Sequence, residues 1–483
     1  MKLTIAFTVL LIAAACSSPL DKRKSEITKL KYSPDWVSLK HHHNPQWLSD
    51  AKFGIYTHWR PDAGSEPGTF KAEKFNADEW AELFKQAGAQ FAGPVTEHGG
   101  ARVLMWDSKL SDNTSVKRGL NRDIVAELQK AITKRGMKFM VSFHSFGPKE
   151  SRMIPGGKAW EVVDKYQPDL VWFDLGMGNT LPPHYGGSFI GGKKIANRTE
   201  NNYQGNEKEI YRKQFLAHYF NQAVQLGKEV QVVYKDYDIP PGVAMRDIEN
   251  GRLKDLEYDE WMADVTIMLC TFENNKYHDY WMYSPDAKFM STQSLINELV
   301  DITSKNGRLL LSVGPKPDGS IPNEARERLQ EMGKWLHING EAIYGTTPWI
   351  LYGEGPTELK GVDLGLYAQD HKVTFDGMLD MINKGEMQFG HFSQINQIPY
   401  TPQDIRFTTK GDAVYAICLG WPGEEITIKS LGTEGAIAKD EIKSIRMLGS
   451  DEELQWTQKP EGLVIKTPKM KPCEHAFTFK IIE

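Results

Sequence analysis

Asp174 closes the run Pro168-Asp169-Leu170-Val171-Trp172-Phe173-Asp174-Leu175-Gly176, in which an apolar strand-like segment ends on an acid followed closely by glycine. An aspartate at the C-terminal end of a buried strand, with Trp172 as an aromatic shelf behind it, suits a nucleophile that must approach an electron-poor sugar carbon. The same pattern also serves an aspartate that only caps the next helix. Glycoside hydrolysis with retention needs a second carboxyl group, roughly 5–5.5 Å from the first and far from it in sequence. The acid-rich turn Asp247-Ile248-Glu249-Asn250-Gly251 offers one, and Glu257, Asp259 and Glu260, just ahead of Trp261, offer others.

Histidines follow the first two strand-like runs. His58 with Trp59, and Glu97 with His98, are placed to line one mouth, flanked by Trp59 and Trp106. Imidazoles hydrogen-bond sugar hydroxyls and indoles cover apolar sugar faces, so the set reads as a sugar pocket. Two other motifs lead nowhere. Gly187 to Lys193 has phosphate-loop spacing, but Lys194 stands where Ser or Thr is required and no apolar strand directly precedes it. His41-His42-His43 has no carboxylate or cysteine partner near it, so an exposed run is expected and no metal site is assigned.

These residues need strands to carry them. Strand-like runs occur at Phe53 to Tyr56, Phe91 to Val95, Lys138 to Ser142, Leu170 to Phe173, Val230 to Tyr234 and Arg308 to Val313. Helical patterns alternate with them, including Asp78 to Gly88, Arg122 to Arg135, Glu209 to Gly227 and Thr292 to Ser304. Six or more such units predict an α/β fold, a (β/α)8-like TIM barrel over residues 49–348. Beyond Trp349 short alternating runs take over, such as Ala413 to Cys418, Glu425 to Ile428 and Gly462 to Ile465. They predict a boundary near residues 346–352 and a C-terminal antiparallel β-sandwich over 349–483.

The N-terminus carries a different signal. Met1-Lys2 and the apolar run Leu3 to Ala15 lead to Cys16, with the charged start and short apolar core of a secretory signal. The run is too short to span a bilayer, and the small residues before Cys16 resemble a bacterial lipobox. Residues 1–16 are therefore expected to be a lipoprotein signal ending on the lipidated Cys16, with 17–48 as tether and lead-in. That implies an exported bacterial lipoprotein, in the periplasm or at the cell surface, held to the membrane only by its lipid. Cys270, Cys418 and Cys473 are too scattered for a disulfide framework. A net charge of −5, from 58 Lys and Arg against 63 Asp and Glu with no dense basic stripe, excludes the usual footprint of nucleic-acid binding.

Taken in order, these segments resemble the α-L-fucosidases of glycoside hydrolase family 29 over nearly the whole mature chain. Phe53-Gly54-Ile55-Tyr56-Thr57-His58-Trp59 is similar to the family's Phe-Gly…His-Trp-Gly opening, and Glu97-His98 with Met105-Trp106-Asp107-Ser108 to its Glu-His-His-Asp-Gly-Phe…Trp-Asp-Ser stretch. Val171 to Gly176 resembles the nucleophile strand. Tyr234-Lys235 with Asp247-Ile248-Glu249 resembles the Tyr-Lys…Asp-Phe-Glu-Arg-Gly region, and Ser304 to Leu311, Gly314 to Gly319 and Asn339 to Gly345 follow the family's later signatures.

The resemblance implies a retaining exo-glycosidase for terminal α-L-fucose, with a fucosylated glycan as substrate and no organic cofactor. It assigns the nucleophile to Asp174 and the acid/base to Glu249, with Glu260 or Glu257 in reserve because Met262 stands where other branches carry the acid. It also implies sugar contacts from His58, Trp59, Glu97, His98, Trp106, His144 and Trp172. Gly99 and Gly100 replace the second His and the Asp of His-His-Asp, Arg60 replaces a glycine and Asn250 an arginine. Glu97, Arg102 or His144 would then take over the vacated hydroxyl contact. These departures leave two alternatives: a barrel glycosidase for another or modified sugar, and a non-catalytic surface glycan-binding protein.

Overall fold

The computed structural model describes residues 32–60, 72–98, 103–144, 155–174, 189–190, 193–194, 207–234, 239–240, 242–248, 253, 255–269, 271–273, 276–278, 280–357, 398–434 and 442–482. Residues 1–31 with Cys16, and Gly99, Gly100, Arg102, Glu249, Asn250 and Cys270, lie outside them.

Eight parallel strands close a barrel: β1 (Phe53–Thr57), β2 (Phe91–His98), β3 (Lys138–His144), β4 (Leu170–Phe173), β5 (Gln231–Tyr234), β6 (Met245–Asp247), β7 (Trp261–Thr266) and β8 (Gly307–Val313). They pair in sequence order, and β8 returns to β1. Helices α1 (Trp36–Leu39) and α2 (Gln46–Ala51) precede the barrel. Around it run α3 (Ala77–Gln86), α4 (Ile124–Lys134), α5 (Lys158–Tyr166), α6 (Glu207–Leu226), α7 (Thr292–Ser304) and α8 (Asn323–Asn339). Side chains start several of them. Asn76, Asp123 and Ser291 accept the backbone N–H three residues on, at 3.2, 2.9 and 3.1 Å.

Alternation along the strands divides the apolar residues in two. Val171 and Phe173 face the helices, while Leu170 and Trp172 face the bore with Tyr56, Phe91, Val95, Met140, Val233, Met245, Met262 and Leu310. Leu48 and Ala51 of α2 join this inner cluster and plug the end where the strands start. Gly54 is required there, because a Cβ on it would stand 2.2 Å from the Phe91 ring. The bore turns polar toward the other end, with Ser142, His144, Asp247, Asp264, Thr266 and Ser312 all buried.

The barrel agrees with the sequence expectation, with two strands added. β6 is three residues long, and its Arg246 and Asp247 made it look like part of an acid-rich turn. β7 puts Asp264 and Thr266 on its inner face, which breaks the apolar run expected of a buried strand. His42 is a further correction. It is buried, its ring stacked 3.6 Å from Phe220 and its Nε2 2.9 Å from the Val230 carbonyl, although its neighbours His41 and His43 are exposed.

After α8 come β9 (Thr347–Glu354), β10 (Ile405–Lys410), β11 (Ala413–Cys418), β12 (Glu425–Ile428), β13 (Ser444–Met447), β14 (Trp456–Lys459), β15 (Gly462–Lys466) and β16 (Phe477–Ile482). They form an antiparallel sheet of order β9-β10-β11-β16-β13 facing a second of order β12-β15-β14. Phe407, Cys418 and Phe479 of the first meet Ile428, Leu463 and Ile465 of the second, which makes the expected sandwich. Cys418 and Cys473 are free thiols, and burial raises the pKa of each. A buried charge cluster ties sandwich to barrel: Asp301 of α7 accepts from Lys305 Nζ at 2.9 Å and from Arg406 Nε of β10 at 2.6 Å. Among the described residues no helix is long and apolar enough to cross a membrane.

Candidate active site

At the end where the strands finish, β1, β3 and β4 each present a polar group to the bore. Asp174 directly follows β4, and its N–H continues the ladder to the Phe143 carbonyl at 3.0 Å. The parity that sends Leu170 and Trp172 inward sends Asp174 inward too. Its side chain is 13% exposed, open enough to be reached and enclosed enough for its charge to be weakly screened.

His144 ends β3. Its Nδ1 lies 3.5 Å from Asp174 Oδ2, an ion pair when the imidazole is protonated, and its Nε2 lies 3.3 Å from Ser142 Oγ. The ring stacks on Trp172 with centroids 4.7 Å apart. His58 extends β1 through its N–H to the Val313 carbonyl at 3.1 Å, and its Nδ1 lies 2.8 Å from Ser312 Oγ. The two imidazoles meet edge to face at 4.5 Å. Asp174, His144, His58 and Trp172 therefore form one contiguous cluster.

Other expected residues sit elsewhere. Trp59 is turned away from the bore, stacked on Phe75 at 5.0 Å and against Trp80 at 5.3 Å, with its Nε1 donating to the Lys316 carbonyl at 2.9 Å. Trp106 is fully buried and donates to Glu161 Oε2 at 2.9 Å. Neither indole offers a face to a ligand. Trp281 is the indole at the mouth, half-buried over the inner cluster with its ring 5.3 Å from His58. Only the aromatic density of Tyr280-Trp281-Met282-Tyr283 marks it in the sequence.

Glu97 is displaced by a β-bulge. β2 shifts register between Val95 and Glu97, which puts Glu97 level with the outward Phe143 and the backbone of His98 level with His144. A bulge of this kind reverses which residues face the bore. Thr96 holds it, its hydroxyl donating to the Ser142 carbonyl at 2.6 Å. Glu97 is spent outside the bore in an ion pair with Lys158 Nζ of α5 at 2.8 Å. Lys158 sits in the first turn of that helix, where a cation is disfavoured, and Glu97 offsets the cost.

The reserve acids are also far from Asp174. Glu260 directly precedes β7, at the plugged end of the barrel. Its carboxylate accepts from Asn44 Nδ2 at 2.7 Å, from Ser49 Oγ at 3.0 Å, and from Arg308 at the start of β8. Five residues of tilted strand at about 3.3 Å each separate it from the height of Asp174 by on the order of 15 Å. Glu257 lies 3.6 Å from Arg246, whose parity in β6 points away from the bore. Glu249 directly follows Ile248, whose N–H reaches the Met262 carbonyl at 2.9 Å and so carries the β6 ladder toward the mouth. Among the described residues no group of three or more His, Cys, Asp or Glu could hold a metal ion.

The chain is similar to known proteins along most of its length. A family model described as Alpha-L-fucosidase matches residues 20–68 and 66–341, and one described as Alpha-L-fucosidase C-terminal domain matches 397–482. Tissue alpha-L-fucosidase of Bos taurus is 28% identical over 93% of this chain and 91% of its own length, and that of Homo sapiens is 27% identical over 93% and 92%. The crystal structure of a Thermotoga maritima alpha-fucosidase in complex with fucose superposes with a TM-score of 0.64 at 26% identity, covering 94% of this chain and all of that one.

Proposed function

The chain belongs to the alpha-L-fucosidase family, and from that premise we propose that it hydrolyses terminal α-L-fucose from glycans by double displacement, with Asp174 as nucleophile and Glu249 as acid/base. The observation that carries this reading is the inward, partly enclosed carboxylate of Asp174 at the finishing end of β4, with His144 Nδ1 3.5 Å away. In the first step an Asp174 oxygen bonds to the anomeric carbon, the glycosidic C–O bond breaks, and the Glu249 carboxyl proton goes to the departing oxygen. In the second, the Glu249 carboxylate takes a proton from water, whose oxygen displaces Asp174 and restores both groups. His144, with its Nδ1 3.5 Å from Asp174 Oδ2, aims the carboxylate, and the half-buried Trp281 supplies an apolar face beside His58. His98 adjoins the same mouth through its backbone register.

Gly99 and Gly100, in place of His and Asp, favour a second reading in which a related sugar, galactose-configured or modified, is the better substrate. We also propose export and anchoring through a lipid on Cys16, supported by the lipobox-like sequence before it. The test of function is turnover of an aryl α-L-fucoside followed by NMR. Release of α-L-fucose as first product supports the reading, and release of the β-anomer or no turnover refutes it. Faster turnover of an aryl galactoside selects the second reading.

A further inference from the structure

The bore holds a charged group that the double displacement does not use. Asp264 lies on the inner face of β7, between Met262 and Thr266, and is 1% exposed. Its Oδ2 accepts the Tyr56 hydroxyl at 3.0 Å. Tyr56 is fully buried, and its ring lies against those of His58, His144 and Trp172. It stands edge-on to His58 at 4.8 Å, nearly parallel to His144 at 6.2 Å, and tilted against Trp172 at 5.8 Å. His144 in turn stacks on Trp172 and reaches Asp174. A carboxylate is costly to enclose at this depth beside Leu310 and Met262, and a leucine-sized side chain would fill a bore of this kind at less cost. Among the contacts it makes is the bond from the Tyr56 hydroxyl, which fixes the swing of that ring.

We propose that Asp264 is a positioning residue for the hydrolysis: it clamps Tyr56, and the clamped ring is the floor that holds His144 and Trp172, and through them Asp174, at attack geometry. The proposal rests on Asp174 being the nucleophile and needs no contact between Asp264 and sugar. Displacements of about 1 Å in a reacting group cost roughly a hundredfold in rate, so a tilt of the floor registers in kcat.

The test uses the full chain with Tyr56→Phe, Asp264→Ala, their combination, and Asp264→Asn, whose amide oxygen still accepts from Tyr56. On an aryl α-L-fucoside with a good leaving group, Tyr56→Phe and Asp264→Ala should each lower kcat roughly tenfold to a hundredfold with KM nearly unchanged. The double variant should be no worse than either single one, and Asp264→Asn should stay within about threefold of wild type. Losses confined to melting temperature with kcat intact would show a purely structural pair and overturn the proposal. So would losses that multiply in the double variant, or an Asp264→Asn as poor as Asp264→Ala. If Asp264→Ala does not fold, Tyr56→Phe, which removes one oxygen atom, and Asp264→Asn decide the matter. A wild type inert on the fucoside refutes the fucosidase reading by itself, and the same ratios are then taken from binding of an iminocyclitol, whose cation senses the aim of Asp174.

Discussion

Replacing Glu260 by Gln should weaken the fold and leave turnover intact. The carboxylate collects three donors, from Asn44, Ser49 and Arg308, and Arg308 is fully buried. A glutamine keeps one acceptor oxygen and adds an NH2 group facing those same donors. Removing one partner of a buried ion pair costs about 3–5 kcal/mol. Glu260 is 22% exposed, and Arg308 retains the carbonyls of Leu48 and Asn306, so the lower end applies, about 3 kcal/mol. At roughly 2–4 °C per kcal/mol for a domain of a couple of hundred residues, the melting temperature should fall by about 6–12 °C. Lys52 adds to the effect. Burial and then Arg308 lower its pKa to about 7 against the opposing pull of Glu260, so without Glu260 it shifts further down. The assay pairs thermal unfolding with kcat on an activated aryl fucoside and on a natural fucosylated glycan. Glu260→Gln should match wild type on both substrates, whereas Glu249→Ala should lose roughly 10²–10⁴-fold on the glycan and far less on the aryl fucoside. A loss selective for the poor leaving group in Glu260→Gln would refute the barrel-end argument.

Two further perturbations have definite signs. Burial, the largest effect on His42, brings its pKa to about 4 from an ordinary 6.5, so between those values the unfolded chain binds a proton that the folded one does not. Stability present above pH 6.5 is therefore lost as pH falls toward about 4. His42→Gln should flatten the melting temperature against pH over that window, and an unchanged slope contradicts the assignment. Cys16→Ala in cells should release the protein from the membrane fraction, since the lipid on this residue is the proposed anchor. Unchanged membrane association counts against it.

Six of the eight barrel strands and the place of Asp174 were legible because each rests on a local pattern: an apolar run, its period, and an acid followed by glycine. The rest depends on which way a strand faces and where it starts. Without β6 and β7 as strands, the acids from Asp247 to Glu260 look equivalent, yet Glu260 belongs to the plugged end and Asp247 to the bore. One extra residue in β2 turns Glu97 outward, and a bulge leaves little trace in composition. Trp59 and Trp106 follow strands one and two as a sugar-binding indole would, but tertiary packing against Phe75, Trp80 and Glu161 claims them. Tyr56, Asp264 and Ser312 come from strands far apart in sequence, and only closure of the barrel brings them under the histidines.

The central claim is that Asp174 forms the glycosyl ester, and covalent trapping reads it directly. A 2-deoxy-2-fluoro-L-fucosyl fluoride has a departing group good enough to form the ester and a fluorine that slows its hydrolysis, so the intermediate accumulates. Mass spectrometry of the digested protein should find one fluorofucosyl adduct, on the peptide carrying Asp174, and none in Asp174→Asn of unchanged melting temperature. An adduct on any other residue, or near-normal turnover by Asp174→Asn, would contradict the account.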